Sequence, residues 1–472
     1  MTPSAKHEGV IMTKEIRLNG FAMNCAGHLS PGMWTHPRDR SASYNDIDYW
    51  TDIARILERG KFDALFLADV LGVYDVFRGT VDAALTHGAQ VPVNDPAIVV
   101  PAMAQVTEHL GFTITATLSF EPPYPFARRM STLDHVTRGR IGWNIVTGYL
   151  DSAAKGSGLD KQTAHDRRYD IAHEYMDVVY KLWEGSWADD AVLRDRAYNI
   201  FARPDRVRKV RHAGEYYRVD AIHLSEPSPQ RTPTLFQAGT SQKGMDFAAK
   251  HAEGVFVGGP STHVIAPRVA ELRKRARAFG RNPADLLIFM GINVVVDRTE
   301  VAARAKLEEY KRYTNTEGAL ALLSGWTGID FSQYDWDEPL RYIKNDAMQS
   351  VVEGFTVADP NKVWTLRELA TSAGLGAAWP LLVGAPDQVA DGLQRWVAET
   401  DVDGFNLAYI VSPESFADFV DHVVPELQRR GVYKREYTEG TLREKLYGPG
   451  RRRLAPDHPG AQFRYVPKAS PT

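Results

Sequence analysis

The sequence holds a single cysteine, Cys25, so no internal disulfide can form and a reducing, cytoplasmic setting is expected. No apolar run approaches the ~20 residues of a membrane span, and the opening MTPSAKHEGV lacks the apolar stretch of a secretory leader. Neither sign of charge is in excess. With 56 Lys and Arg against 59 Asp and Glu the net charge is −3, which gives no reason to expect nucleic acid or an acidic membrane as partner. The short basic run Arg451–Arg453, in a Pro-rich tail, reads as a solvated patch. Several chemical signatures are missing as well. No glycine fingerprint follows the first strand, and Gly374-Leu375-Gly376 lacks both a third glycine and a preceding strand. His173-Glu174-Tyr175-Met176-Asp177 departs from the zinc helix motif at its last position, and no metal-ligand spacing occurs elsewhere. Ser241 has no nucleophile elbow, and no paired carboxylates suited to glycoside chemistry are apparent.

What is present is a repeated unit. Eight short apolar strands are expected at Glu15–Met23, Asp63–Ala68, Phe112–Leu118, Ile141–Val146, Thr234–Ala238, Gly254–Gly258, Leu286–Val296 and Gly404–Ala408, most of them separated by helical periodicity. Asn45 or Asp46 caps a helix through Arg59 that Gly60 ends. Asp95-Pro96 opens another that Gly111 ends. Ala385–Glu399 and Phe416–Arg430 carry apolar residues at helical spacing. Strand then helix, eight times, is the arithmetic of an α/β fold of the (β/α)8 TIM-barrel type. Two stretches break the rhythm, about 150–230 with a strong helix at Tyr169–Trp183, and about 314–382. Both follow a strand and are expected to project over its carboxyl-end face as lids or substrate walls. The chain thus reads as a disordered extension over 1–13, with Met12 a second plausible start, one barrel domain over 14–430, and a tail over 431–472 with no core of its own.

The most informative stretch is STLDHVTRGRIGWNIVTGY, Ser131–Tyr149. It reads as a helix over Arg128–Val136, a stop at Gly139 and a buried strand that ends in polar groups, Asn144, Thr147 and Tyr149. Ligands in such folds bind at the carboxyl ends of strands. The other strand ends supply Cys25, His28, Asp69, Thr115, Thr117 and Gly239-Thr240-Ser241. Hydroxyls, amides and a few histidines around an apolar cavity suit a bound organic cofactor. AGTSQKG, Ala238–Gly244, places free backbone N–H groups and the Ser241 hydroxyl at a helix N-terminus, a ready anion site. His165 and Tyr169, four apart, share a face of the insertion helix.

STLDHVTRGRIGWNIVT, together with FDALFLADVLGVYDV at Phe62–Val76, resembles the bacterial luciferase-like flavin monooxygenases. The likeness runs from about Lys14 to about Leu446. It points to the branch acting on dimethyl sulfide, long-chain alkanes, nitrilotriacetate and dibenzothiophene sulfone. The resemblance implies flavin mononucleotide as cofactor, used reduced and supplied by a separate NAD(P)H:flavin reductase through free diffusion. It also implies a flavin site at Asp69, Thr115, His165, Tyr169 and Ser241, to which the strand end adds Asn144. Met23–His28 matches a Met-Asn-Cys-x-Gly-His motif of the alkane-oxidising members, so Cys25, His28, Tyr74, Gln90 and Tyr149 are the implied substrate-side, catalytic residues.

Two departures bear on substrate. Tyr149 replaces a histidine of the alkane-oxidising member. Leu322, in ALALLSGWTGID, replaces another, whereas the sulfide-oxidising member has this leucine and the same GWTGID run. Leu322 is expected to close the cavity with an apolar wall, which favours a small uncharged substrate, first an alkyl sulfide such as dimethyl sulfide, with O2 as co-substrate. Long-chain alkane or aminopolycarboxylate oxidation, deazaflavin-dependent hydride transfer and a non-catalytic relative are the alternatives. An aminopolycarboxylate would need cationic lining, for which Arg78 and Arg129 are the nearest candidates. A homodimer or homotetramer is expected.

Overall fold

The computed structural model describes residues 14–239, 241–340 and 363–466. The expected extension over 1–13, Thr240, residues 341–362 of the second insertion and the last six residues lie outside the described residues. Eight parallel strands close on themselves: β1 (Arg17–Met23), β2 (Ala64–Ala68), β3 (Gly111–Thr117), β4 (Ile141–Val146), β5 (Thr234–Ala238), β6 (Gly254–Val257), β7 (Leu287–Val296) and β8 (Gly404–Ala408). Each pairs with its sequence neighbours, β6 pairs with β7, and β8 returns to β1, which completes a barrel. All eight lie within two residues of the expected spans. β7, LIFMGINVVV, is buried along its whole length, as a parallel strand covered on both faces must be. A short additional strand, Leu381–Gly384, continues the sheet beside the end of β7.

The helices show where local signals hold and where neighbours override them. Asp46 caps Ile47–Arg59 by accepting from the Asp48 N–H, and Asp95 caps Pro96–Gln105. The second of these ends at Gln105 and not at Gly111, which instead opens β3. The buried Arg140 guanidinium caps this end, donating to the otherwise orphaned Ala104 carbonyl at 2.7 Å and to the Leu110 carbonyl just before β3 at 3.1 Å. The helix before β4 begins earlier than expected, at Pro123, and Gly139 ends the turn after it at φ +82°. A Cβ at Gly139 would lie 2.5 Å from Thr441, so the position also admits the tail. The periodic stretch Phe416–Arg430 forms as two α-helical pieces joined by a π turn over Phe419–Val423.

The first insertion reaches the carboxyl-end face through its opening residues, including Tyr149, His165 and Tyr169. Its helix, His165–Gly185, then runs ~30 Å down the barrel flank and ends where Glu184 meets Thr232, just before β5. It therefore serves as an outer barrel helix, and two hairpins follow it, Val192–Asp195 with Ile200–Ala202 and Val210–Ala213 with Arg218–Ala221. The second insertion places the helix Thr316–Thr327 and the segment Ala377–Trp379 over the barrel mouth. The tail contributes directly to the core. Its helix Leu442–Tyr447 inserts Leu442 and Leu446 into the cluster that also holds Phe66, Phe236 and Phe289. Arg443, buried, is held bidentate by Glu253 at 2.7 and 2.9 Å. The run Arg451–Arg453 is not merely solvated: Arg451 pairs with Asp285, and Arg453 pairs with Glu184 and Asp189.

Candidate active site

Two adjoining cavities occupy the carboxyl-end face, of about 260 and about 210 Å³. Asp69, Thr115, Tyr149 and Gly239 border both, so the two form one continuous site.

The inner chamber is aromatic. Phe21 from β1, Phe66 from β2 and Phe256 from β6 meet Trp326 and Trp379 of the second insertion there. Trp379 stacks on Phe21 at 5.3 Å. A polar chain crosses the wall: Gln90 donates to the His28 main-chain oxygen at 2.8 Å, and Tyr74 donates to Gln90 Oε1 at 2.7 Å. Trp326 Nε1 donates to Tyr74 Oη at 3.1 Å, and Tyr149 Oη lies 3.1 Å from the same oxygen. His28 is neutral, since burial lowers its pKa to about 3. Burial, reinforced by Asp95, raises Asp69 to about 7 at the junction of the cavities.

The outer cavity is polar. Ser241 caps the helix Gln242–His251 by accepting from the Gly244 N–H at 3.0 Å. His165 Nε2 lies 3.3 Å from the same hydroxyl, and Tyr169 also hydrogen-bonds to Ser241. A Cβ at Gly244 would stand 2.8 Å from Tyr169 Oη, so the phenol needs a glycine there to reach the helix N-terminus. Thr115 accepts from Asn144 Nδ2 at 2.9 Å. Among the described residues Asn144 Oδ1, Gln237 Oε1 and His28 Nδ1 are buried without a hydrogen-bond partner. Leaving such atoms unpaired costs ~1–3 kcal/mol each, a cost that a ligand with polar edges removes. The donor set fits a flavin mononucleotide: orphaned acceptors for a ring N–H, hydroxyls for a ribityl chain, and a helix N-terminus with Ser241, His165, Tyr169 and Arg168 for a phosphate.

Of the residues singled out from sequence, His28, Tyr74, Gln90, Tyr149, Asp69, Thr115 and Asn144 line the inner chamber. His165, Tyr169 and Ser241 line the outer cavity. Cys25 lies on neither wall. It is fully buried, its backbone bridged to Val93, and burial pushes its thiol pKa well up. Leu322 is also absent from the walls. It belongs to the buried cluster that also holds Leu320, Leu323, Phe331 and Leu369, and the same helix instead presents Trp326 to the chamber. Arg78 and Arg129 turn to Glu317 and Glu121, whereas Arg268 and Arg168, not anticipated, border the inner and outer cavities. Trp326 stood inside the GWTGID run and Arg168 one residue before Tyr169, so position was the available signal for both.

The comparisons with known proteins agree with this geometry. The chain is 50% identical over 461 residues to the dimethyl-sulfide monooxygenase of Hyphomicrobium sulfonivorans, covering 97% of this chain and 96% of that one. It is 48% identical over 456 residues to the long-chain alkane monooxygenase of Geobacillus thermodenitrificans, covering 96% and 99%. The crystal structure of DmoA from Hyphomicrobium sulfonivorans matches with a TM-score of 0.90 at 50% identity over 96% of each chain. A riboflavin lyase, solved with modified FMN and riboflavin, matches with a TM-score of 0.89 at 36% identity, covering 96% of this chain and 100% of that one. The luciferase-like monooxygenase family model spans residues 28–404, from the histidine of the inner chamber to the first residue of β8. With barrel, polar cradle and aromatic chamber in place, the chain belongs to the luciferase-like monooxygenases and is a flavin-dependent oxidoreductase.

Proposed function

We propose that the chain is the oxygenase of a two-component system that uses reduced flavin mononucleotide and O2 to oxidise a small uncharged substrate, first a dialkyl sulfide such as dimethyl sulfide. The observation that carries this reading is the pairing of an aromatic chamber with a polar cradle through Tyr149 and Asp69. Reduced flavin, when bound, supplies the oxygen activation. Ser241, His165, Tyr169 and Arg168 hold its phosphate, while Asn144 and Thr115 orient its ring. Phe21, Phe66, Phe256, Trp326 and Trp379 exclude water from the reacting centre, where it would divert the oxidant. Among the described residues one anion cradle and no second polar lobe for an adenylate border the site, which favours the mononucleotide over the dinucleotide. The one guanidinium lining the chamber among the described residues, Arg268, donates to the Gly258 carbonyl, which disfavours a polycarboxylate. In the same proposal the reductase is a separate chain that delivers flavin by diffusion, the setting is cytoplasmic, and the chain is a homodimer or homotetramer.

Purified chain, chemically reduced flavin mononucleotide and air, offered dimethyl sulfide, hexadecane, dibenzothiophene sulfone and nitrilotriacetate, test the reading. Dimethyl sulfide is expected to be consumed first. Preference for hexadecane or nitrilotriacetate overturns the substrate assignment, and turnover of none of the four overturns the sulfide reading altogether.

A further inference from the structure

The hydrogen bonds around Tyr74 admit only one direction. A main-chain oxygen can only accept, so the Gln90 atom 2.8 Å from the His28 carbonyl is the amide nitrogen. The amide oxygen must then face Tyr74, 2.7 Å away, and receives the only proton that Tyr74 has. The indole of Trp326 can only donate, so it fills one lone pair of Tyr74 at 3.1 Å. Tyr149, 3.1 Å from that oxygen, finds no proton there to accept and must donate its own. Burial keeps both phenols protonated, since it raises the pKa of each. The Tyr149 hydroxyl therefore has only lone pairs left for the two cavities it borders. Gln90 is buried and held at φ +57°, a region that side-chain-bearing residues seldom adopt, so the surrounding structure fixes its backbone.

We infer that Gln90 is a positioning residue that fixes Tyr149 as an acceptor toward the chamber, so that the site favours a thioether over the corresponding sulfoxide. The inference deepens the proposed function, since it concerns the substrate class of the same site. An oxygenated ligand brings a strong acceptor against the Tyr149 lone pairs, with no proton between them, whereas a thioether brings only a weak one. His28 also borders the chamber, and its main-chain oxygen loses the Gln90 amide donor in both Gln90→Leu and Gln90→Glu, so a shift acting through His28 would appear in both.

The test is titration calorimetry of tetrahydrothiophene and its S-oxide against the full chain, with and without oxidised flavin mononucleotide. The readout is the ratio of the two dissociation constants and not turnover, so failure of the sulfide-oxidation reading and failure of this inference are separable. In Gln90→Leu the Tyr74 proton loses its acceptor and can turn to Tyr149, whose own proton then becomes available to the ligand. The ratio should move toward the S-oxide by about tenfold, the worth of one hydrogen bond. Gln90→Glu keeps an oxygen facing Tyr74 and should hold the wild-type ratio within about threefold. Trp326→Phe opens the chain without removing the acceptor at Gln90 and should do the same. If Gln90→Leu does not fold, Gln90→Met is read in its place. An unchanged ratio in the Leu or Met variant overturns the inference. So does an equal shift in Gln90→Glu and Trp326→Phe, because general loosening would then explain the change.

Discussion

Two buried polar sites at opposite ends of the barrel are satisfied to different degrees. At the amino-terminal end Arg443 donates to Glu253, to Gln230 and Arg452, and to Thr232 and Pro233, so its guanidinium is fully used. At the carboxyl-terminal end Asn144 Oδ1, Gln237 Oε1 and His28 Nδ1 are equally buried and have no partner among the described residues. A satisfied network of this kind holds a single structure together, whereas an unsatisfied one is held by the fold for something that is not protein. The same barrel thus separates stability from binding along its axis.

The strongest test of this division removes Arg443. Arg443→Met leaves Glu253 buried without its ion-pair partner, with the Leu235 N–H still donating to it, and should lower unfolding free energy by about 3–5 kcal/mol in chemical denaturation. Loss of less than ~1 kcal/mol would show that the lower end is not what holds the barrel. Leu322→Ala comes next. The side chain is 1% exposed and packed among apolar neighbours, so about 2–5 kcal/mol should be lost. Affinity of the folded variant for flavin should stay near wild type, as measured by fluorescence titration.

Substitutions in the cradle should behave in the reverse way. Ser241→Ala and Tyr169→Phe should each weaken flavin mononucleotide binding by roughly ten- to a hundred-fold, the worth of one hydrogen bond to a charged phosphate, with a nearly constant unfolding midpoint. Part of any stability change in Ser241→Ala belongs to its helix cap, so Tyr169→Phe is the cleaner comparison. The smallest expected effect is on pH dependence. Asp69 is raised from the ordinary 3.8 to about 7 in the folded chain, so the folded state holds this proton more tightly than the unfolded one. Its contribution is fully present below the ordinary value and is lost as pH rises toward about 7. Wild type should therefore lose more stability than Asp69→Asn between about pH 5 and about pH 8, and equal slopes would remove Asp69 from the account.

The eight strands were legible because each is a short apolar run between glycine, proline or capping residues, and these local signals survive into the fold. Boundaries failed where a distant residue decided them. Pro96–Gln105 ends at Gln105, where Arg140, from beyond β3, donates to the Ala104 carbonyl of its last turn. The site was legible at strand ends, where Asp69, Thr115, Asn144 and Tyr149 point by construction. It was not legible on the second insertion, because a helix offers several faces and only packing selects one. Leu322 and Trp326 lie four apart on one helix, and the chamber receives the tryptophan. Cys25 was placed by motif alone, which carries adjacency in sequence but not the direction of a side chain. The tail, basic and Pro-rich, hid Leu442 and Leu446 because two apolar residues make no periodic pattern.

That tail has a consequence for the order in which the molecule is made. β8 ends at Ala408, yet among the described residues Leu442 and Leu446 of the tail join the apolar cluster of the barrel floor, which includes residues of β1 and β2. The strands precede the tail in the chain, and Gly139 meets Thr441 from roughly three hundred residues further on. The packing of Thr441, Leu442 and Leu446 is therefore long-range in sequence, the kind of contact that forms slowly. A chain cut before Leu442 should carry every residue of the flavin cradle and chamber, and still lack the tail's share of the floor beneath them.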